Sequence, residues 1–82
     1  MPAGREAEIF GATIRRLRLE RGWTQEQLAH LAGLTTTYVG QIERGVKVAS
    51  LTVVLRLARG LSLSPTEVLV DFTPALLRAL RL

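Results

Sequence analysis

The side chains able to do chemistry in this chain are few, and their types suit hydrogen bonding rather than bond making. With no cysteine, disulfides and thiolate metal sites are excluded. The single histidine, His30, has no neighbouring ligand set or nucleophile and reads as an exposed helix residue, so neither metal nor cofactor is expected. The seven acidic residues show no paired-carboxylate spacing tied to a pocket, and no glycine-rich phosphate loop occurs. An enzyme is therefore not expected. Among the other polar side chains is a run of neutral donors and acceptors, Thr36, Thr37 and Gln41, followed closely by the cations Arg44 and Lys47. Glutamine can pair bidentately with adenine, and threonine offers a hydroxyl to several bases and a methyl to thymine. Arginine and lysine suit a phosphate backbone. The net charge of +4 fits the same polyanion without identifying it.

The stretch Thr24 to Gly45 has to position these groups, and it reads as two short helices meeting at a glycine, a helix-turn-helix. Thr24 is placed to cap the first helix, with Gln27 three residues on completing a capping box and Trp23 facing Leu28 as a staple. Leu28, Ala29 and Ala32 make its apolar face, and Gly33 supplies the left-handed residue that closes it. Ala29 and Gly33 are small enough for a tight helix crossing. Thr35 caps the second helix, Val39 and Ile42 form its buried stripe, and Gly45 stops it. Thr36, Thr37 and Gln41 are then expected on the opposite face. Gly40 costs helix stability relative to alanine, which a close approach of backbone to DNA would explain.

Around this unit the pattern stays helical. Met1 to Glu8 holds Pro2 and Gly4 and is expected to fray, with Arg5 on a flexible arm as the alternative. Phe10, Ile14 and Leu17 predict a helix over 6–21 ended by Gly22, with Arg15, Arg16 and Arg21 on its solvated face and Arg21 near the negative end of the dipole. Ser50 caps a fourth helix whose Leu51, Val54, Leu55 and Ala58 are expected to form a core face before Gly60, and Ser64, Pro65 and Glu67 open a fifth. Thr73 and Pro74 begin a leucine-rich tail. So small a protein would expose an apolar patch there. The tail is read as a homodimer interface of Val70, Phe72, Leu76, Leu77 and Leu80, the alternative being packing on its own core. The fold expected is all-α: one compact domain over 1–82 of about five helices around a central helix-turn-helix, core about 9–70, plus a short C-terminal dimerisation helix over 71–82. At 82 residues one core is marginal, which also favours self-association. No apolar run approaches a membrane span and no secretory signal is read, so the cytoplasm is expected.

Gln25, Ala29, Gly33, Val39 and Ile42 sit in the register of the helix-turn-helix of phage repressors and Cro proteins, and T-Q-E-x-L-A and I-E-R-G resemble the words of that Cro/C1-type (XRE) family. The likeness extends upstream through Ile14-Arg15-x-Leu17-Arg18 and downstream through Ser50-Leu51 to Ser64-Pro65. It implies a lambda-repressor-like DNA-binding domain in which Thr36, Thr37 and Gln41 read bases. Gln25, Thr35, Tyr38, Arg44 and Lys47 would contact the DNA backbone, Gln25 as a phosphate clamp at a helix N-terminus. Arg18 and Glu43 would form a partly buried salt bridge. The function implied is a sequence-specific double-stranded DNA-binding transcriptional regulator, a homodimer on a near-palindromic operator. No small-molecule ligand or membrane partner is implied, and an RNA polymerase contact stays open. L-R-L-E-R-G-W-T-Q-E-x-L-A, the T-Y-V followed by I-E-R-G, and the extra tail look like controller proteins of restriction-modification systems. The chain departs from that pattern at Thr36, where controllers often carry a guanine-reading arginine. A proline usual before Ser50 is replaced by Ala49. An antitoxin-type module, binding a toxin through the tail as well as DNA, is the other class.

Overall fold

Apolar residues recurring every three or four positions fold into six helices in the computed structural model, which describes residues 3–82. They are α1 (Arg5–Glu20), α2 (Gln25–Ala32), α3 (Thr36–Glu43), α4 (Leu51–Leu61), α5 (Pro65–Val68) and α6 (Pro74–Leu80). The all-α expectation and the central helix-turn-helix, α2 and α3, both hold. Fraying of Met1 and Pro2 lies outside the described residues. From Ala3 the chain is seated, since the Ala3 amide donates to the Gly45 carbonyl at 2.8 Å. Arg5 accordingly opens α1 rather than riding on a flexible arm.

Side-chain caps set the helix starts where the sequence signals them. Thr24 and Gln27 form both arms of the capping box, with the Gln27 amide donating to Thr24 Oγ1 at 3.1 Å and the Thr24 amide to Gln27 Oε1 at 2.8 Å. Thr35, Ser50 and Thr73 each accept from the amide three residues on. Each such cap contributes about 1 kcal/mol. At Gly33 a φ of 68° closes α2 in the left-handed region. Gly60, expected to end α4, instead lies inside it, and Ser62 takes the left-handed cap at φ 58°. The reason is packing: a Cβ on Gly60 would stand 3.0 Å from the Ala32 backbone nitrogen, so glycine there lets α4 approach α2.

Ile14, Leu28, Val39, Ile42, Leu57, Leu61 and Val68 are fully buried at the centre of the core; of the face expected on α4, Val54 and Ala58 are buried, whereas Leu51 and Leu55 are exposed and Leu57 and Leu61 point inward instead. A tight helix contact also forms outside the crossing of α2 and α3. Gly33 makes the turn, while α1 and α3 close on one another at Gly11, where a Cβ would collide with the Ile42 carbonyl oxygen and lie 2.9 Å from that of Glu43. Arg21 also departs from its expected solvated role. Its guanidinium donates to the Leu17 carbonyl at 3.0 Å and the Leu61 carbonyl at 2.9 Å, and sits 5.7 Å from the centre of the Trp23 ring. One side chain thus satisfies free carbonyls at the ends of both α1 and α4. Arg16 does face solvent, paired with Glu20 at 3.0 Å, an exposed pair of little energetic weight.

The tail is only partly drawn onto the body. Buried Thr13 donates to Asp71 Oδ2 at 2.7 Å, which fixes the turn after α5, and Phe72 packs half-buried on the core. α6 itself buries no residue. Val70 and Leu77 are 59% and 44% exposed, and Leu76 and Leu80 are half-buried.

Candidate nucleic-acid interface

The outward face of α3 follows from the helix having one stripe to bury. Val39 and Ile42 are fully in the core and Gly40 and Glu43 are also buried, which leaves the opposite side to Thr37, Gln41 and Arg44. At about 100° per residue these three fall within about 60° of one another around the helix. Thr36, also exposed, starts the helix at the edge of this stripe, on the row of Gly40 and Glu43. The sequence-derived trio is therefore exposed or half-exposed, with Thr37 and Gln41 forming its centre. The cation Arg44 continues that centre toward the helix C-terminus. Lys47 is exposed in the following loop, and Gly45 turns the chain there at φ 71°.

Thr35 is exposed with its hydroxyl oxygen accepting from the Tyr38 amide at 3.1 Å, so its own hydrogen remains free to donate. Tyr38 is half-buried against the core, which places part of the ring inside the domain and part at its edge. His30 is exposed on α2. No group of three or more histidine, cysteine, aspartate or glutamate side chains able to hold a metal occurs among the described residues.

Behind the face, Arg18 and Glu43 form the ion pair implied by the family resemblance. Arg18 Nε donates to Glu43 Oε2 at 2.7 Å and Nη2 to Oε1 at 3.0 Å, while Nη1 donates to the Trp23 carbonyl at 2.7 Å. The two side chains are 10% and 3% exposed. The hydrogen bond with Glu43 raises the Arg18 pKa above its ordinary value; burial opposes the shift, and the carboxylate charge adds to it. A folded pKa raised in this way contributes stability that is fully present below the unfolded value and is lost only at extreme alkalinity. The pair therefore holds α1, the α1–α2 turn and α3 in one arrangement across neutral pH.

Glu43 does more than pair with Arg18. The Gln25 amide at the start of α2 donates from Nε2 to Glu43 Oε1 at 3.1 Å. This links the two helices of the motif through one carboxylate, a contact that sequence reading did not anticipate. Gly40 is buried within α3. A Cβ there would stand 3.1 Å from Arg44 Nη1 and 3.5 Å from Gln25 Oε1. The spacing i to i+4 from Gly40 to Arg44 was the available signal, since a helical side chain lies back over the preceding turn.

Comparison with known proteins follows the same geometry. Residues 9–70 match the model of the family described as helix-turn-helix domain. The chain is 36% identical over 66 residues to control protein C.BamHI of Bacillus amyloliquefaciens, covering 79% of this chain and 80% of that protein. It is 39% identical over 62 residues to the HTH-type transcriptional regulator YazB of Bacillus subtilis, covering 76% and 90%. Among solved structures, the restriction-modification controller protein C.AhdI from Aeromonas hydrophila superposes with a TM-score of 0.75 at 43% identity, covering 77% of this chain and 96% of that one.

Proposed function

The chain belongs to the helix-turn-helix domain family, and from that premise we propose that it is a sequence-specific, double-stranded DNA-binding transcriptional regulator acting as a homodimer. The observation that carries this reading is the outward stripe of Thr37, half-exposed Gln41 and Arg44, opposite a face locked into the core. In a dimer two such helices enter successive major grooves about 34 Å apart, so the operator is a near-palindrome. Thr36, Thr37 and Gln41 read base edges, and Gln25, Thr35, Tyr38, Arg44 and Lys47 hold the backbone. Similarity to C.BamHI and C.AhdI supports a controller of a restriction-modification operon that regulates its own gene. Thr36, in place of a guanine-reading arginine, gives it an operator unlike those of controllers that carry the arginine.

Fluorescence anisotropy across a salt series tests this, comparing DNA upstream of the protein's own gene with scrambled DNA of equal length. Preferential, salt-sensitive binding that saturates at two or four protomers per duplex supports the proposal; equal weak binding to both DNAs counts against autoregulation. In the same assay Gln41→Ala should lose about 1–3 kcal/mol on the operator and little on scrambled DNA. Lys47→Ala should weaken both alike and reduce the salt slope by about one. Equal losses on both DNAs for Gln41→Ala would remove its base-reading role.

The dimer surface proposed is the tail. Val70 and Leu77 are exposed, and Phe72 and Leu69 line, with Val48 and Val54, an apolar groove of about 150 Å³. Leu76 and Leu80 extend the same segment. Deleting 74–82 should convert a dimer into a monomer while leaving a folded body, because α6 buries nothing of its own. Sedimentation of the truncated protein as an intact dimer would place the interface elsewhere.

A further inference from the structure

We infer that Gly40 is a positioning residue for DNA binding: the side chain it lacks leaves room for Gln25 and Arg44 to converge over α3 as one phosphate-binding clamp. The inference rests on the DNA-binding reading above and deepens it, since it makes two separate backbone contacts a single site.

Three observations meet at this point. Arg44 lies one helical turn beyond Gly40, and its guanidinium folds back so that Nη1 would stand 3.1 Å from a Cβ on Gly40. Gln25 arrives from the start of the other helix of the motif, with Oε1 and Nε2 at 3.5 and 3.7 Å from the same point. The cationic end of one helix and the amide of the other are thus neighbours above a residue with no side chain. Glu43 holds the arrangement from beneath, because one amide hydrogen of Gln25 is directed to Glu43 Oε1 at 3.1 Å. The second hydrogen on Nε2 remains available to donate. A phosphate oxygen pair placed there would accept from the amide and the guanidinium together, a charge-assisted arrangement stronger than either contact alone.

Gly40 has no backbone reason to be glycine. Its φ is not among the positive values, and it sits inside a helix, where alanine is intrinsically better. Outside the backbone of its own helix, the three nearest atoms that a Cβ would meet are at the ends of the Arg44 and Gln25 side chains. A methyl group at position 40 would therefore press first on the clamp. This separates Gly40 from Gly11 and Gly60, whose Cβ positions are blocked by main chain.

The test measures binding of the full chain to a random-sequence duplex across a salt series, with thermal unfolding of each variant alongside. Gly40→Ala should raise the unfolding midpoint by about 5 °C and lower affinity about threefold. Gly40→Leu should lower affinity about tenfold and reduce the salt slope by about one, the signature of one lost phosphate contact. Adding Gly40→Leu to a Gln25→Ala and Arg44→Ala background should cause no further loss. A structural role alone would lower the midpoint and leave the slope unchanged. Unchanged affinity in both single variants, or a further loss in the double-alanine background, overturns the inference while the DNA-binding reading stands. If Gly40→Leu does not fold, unchanged affinity in Gly40→Ala overturns it alone. Failure of the unsubstituted protein to bind the duplex at all overturns both.

Discussion

Replacing Glu43 with alanine is expected to lower folding stability by about 3–5 kcal/mol, because it strands the Arg18 guanidinium in the interior. Arg18 is 10% exposed and gives two of its donors to this one carboxylate. Domains of this size hold about 4–12 kcal/mol in total, so the variant should be partly unfolded under mild conditions. Urea titration measures it as a large fall in midpoint. The loss does not mean that the pair is a net source of stability. Burying two charges carries a desolvation cost that the attraction between them roughly offsets. The joint replacement Arg18→Met with Glu43→Leu should accordingly recover most of the stability. DNA binding should not recover with it, since Gln25 loses the acceptor that orients its amide. A double variant that regains full affinity would show that the carboxylate has no part in placing Gln25. A Glu43→Ala variant as stable as the parent would show that water solvates Arg18 in its place.

Gly11→Ala should be nearly as damaging, by about 3 kcal/mol, although it adds one methyl group. In an unconstrained helix the same change would stabilise by up to about 1 kcal/mol. Here the methyl meets the carbonyl oxygens of Ile42 and Glu43, and these belong to the last turn of α3. Main chain in a helix cannot give way as a flexible side chain does, so α1 and α3 must separate. The consequence reaches function. Displacing the end of α3 moves Arg44 and the Arg18–Glu43 pair with it, so affinity for operator and for scrambled DNA should fall together. Parallel urea unfolding and anisotropy check both parts. An unfolding midpoint at or above the parent's would show that the crossing has slack.

These two residues differ in how far sequence reveals them. The resemblance paired Arg18 with Glu43, and Arg18 falls one turn past the apolar Ile14. Gly11 carried a weaker signal, a glycine in the middle of a helical pattern, which calls for a packing reason. Nothing local says which helix approaches it. Arg21 illustrates the same limit. Its place near the end of α1 was legible, yet its bond to the Leu61 carbonyl joins residues 40 apart in sequence. Gly60 was read as a helix stop because local chemistry cannot distinguish a glycine that ends a helix from one that lets two helices touch.

What the chain determines by itself is the set of helix starts and the buried stripe of α3. Thr24, Thr35, Ser50 and Thr73 cap their helices through bonds spanning three residues, and Val39 with Ile42 orients α3 through its own period. These are short-range effects, complete within a turn or two, so residue order suffices to read them. From them follow the all-helical class, the central motif and the outward placing of Thr37 and Gln41. Tertiary structure alone decided where distant segments meet. The crossing at Gly11, the Thr13 bond to Asp71, the reach of Arg21 to α4 and the convergence of Gln25, Arg44 and Glu43 around Gly40 each depend on distances between helices. Those distances come from packing the whole core at once, in which every side-chain volume constrains every other.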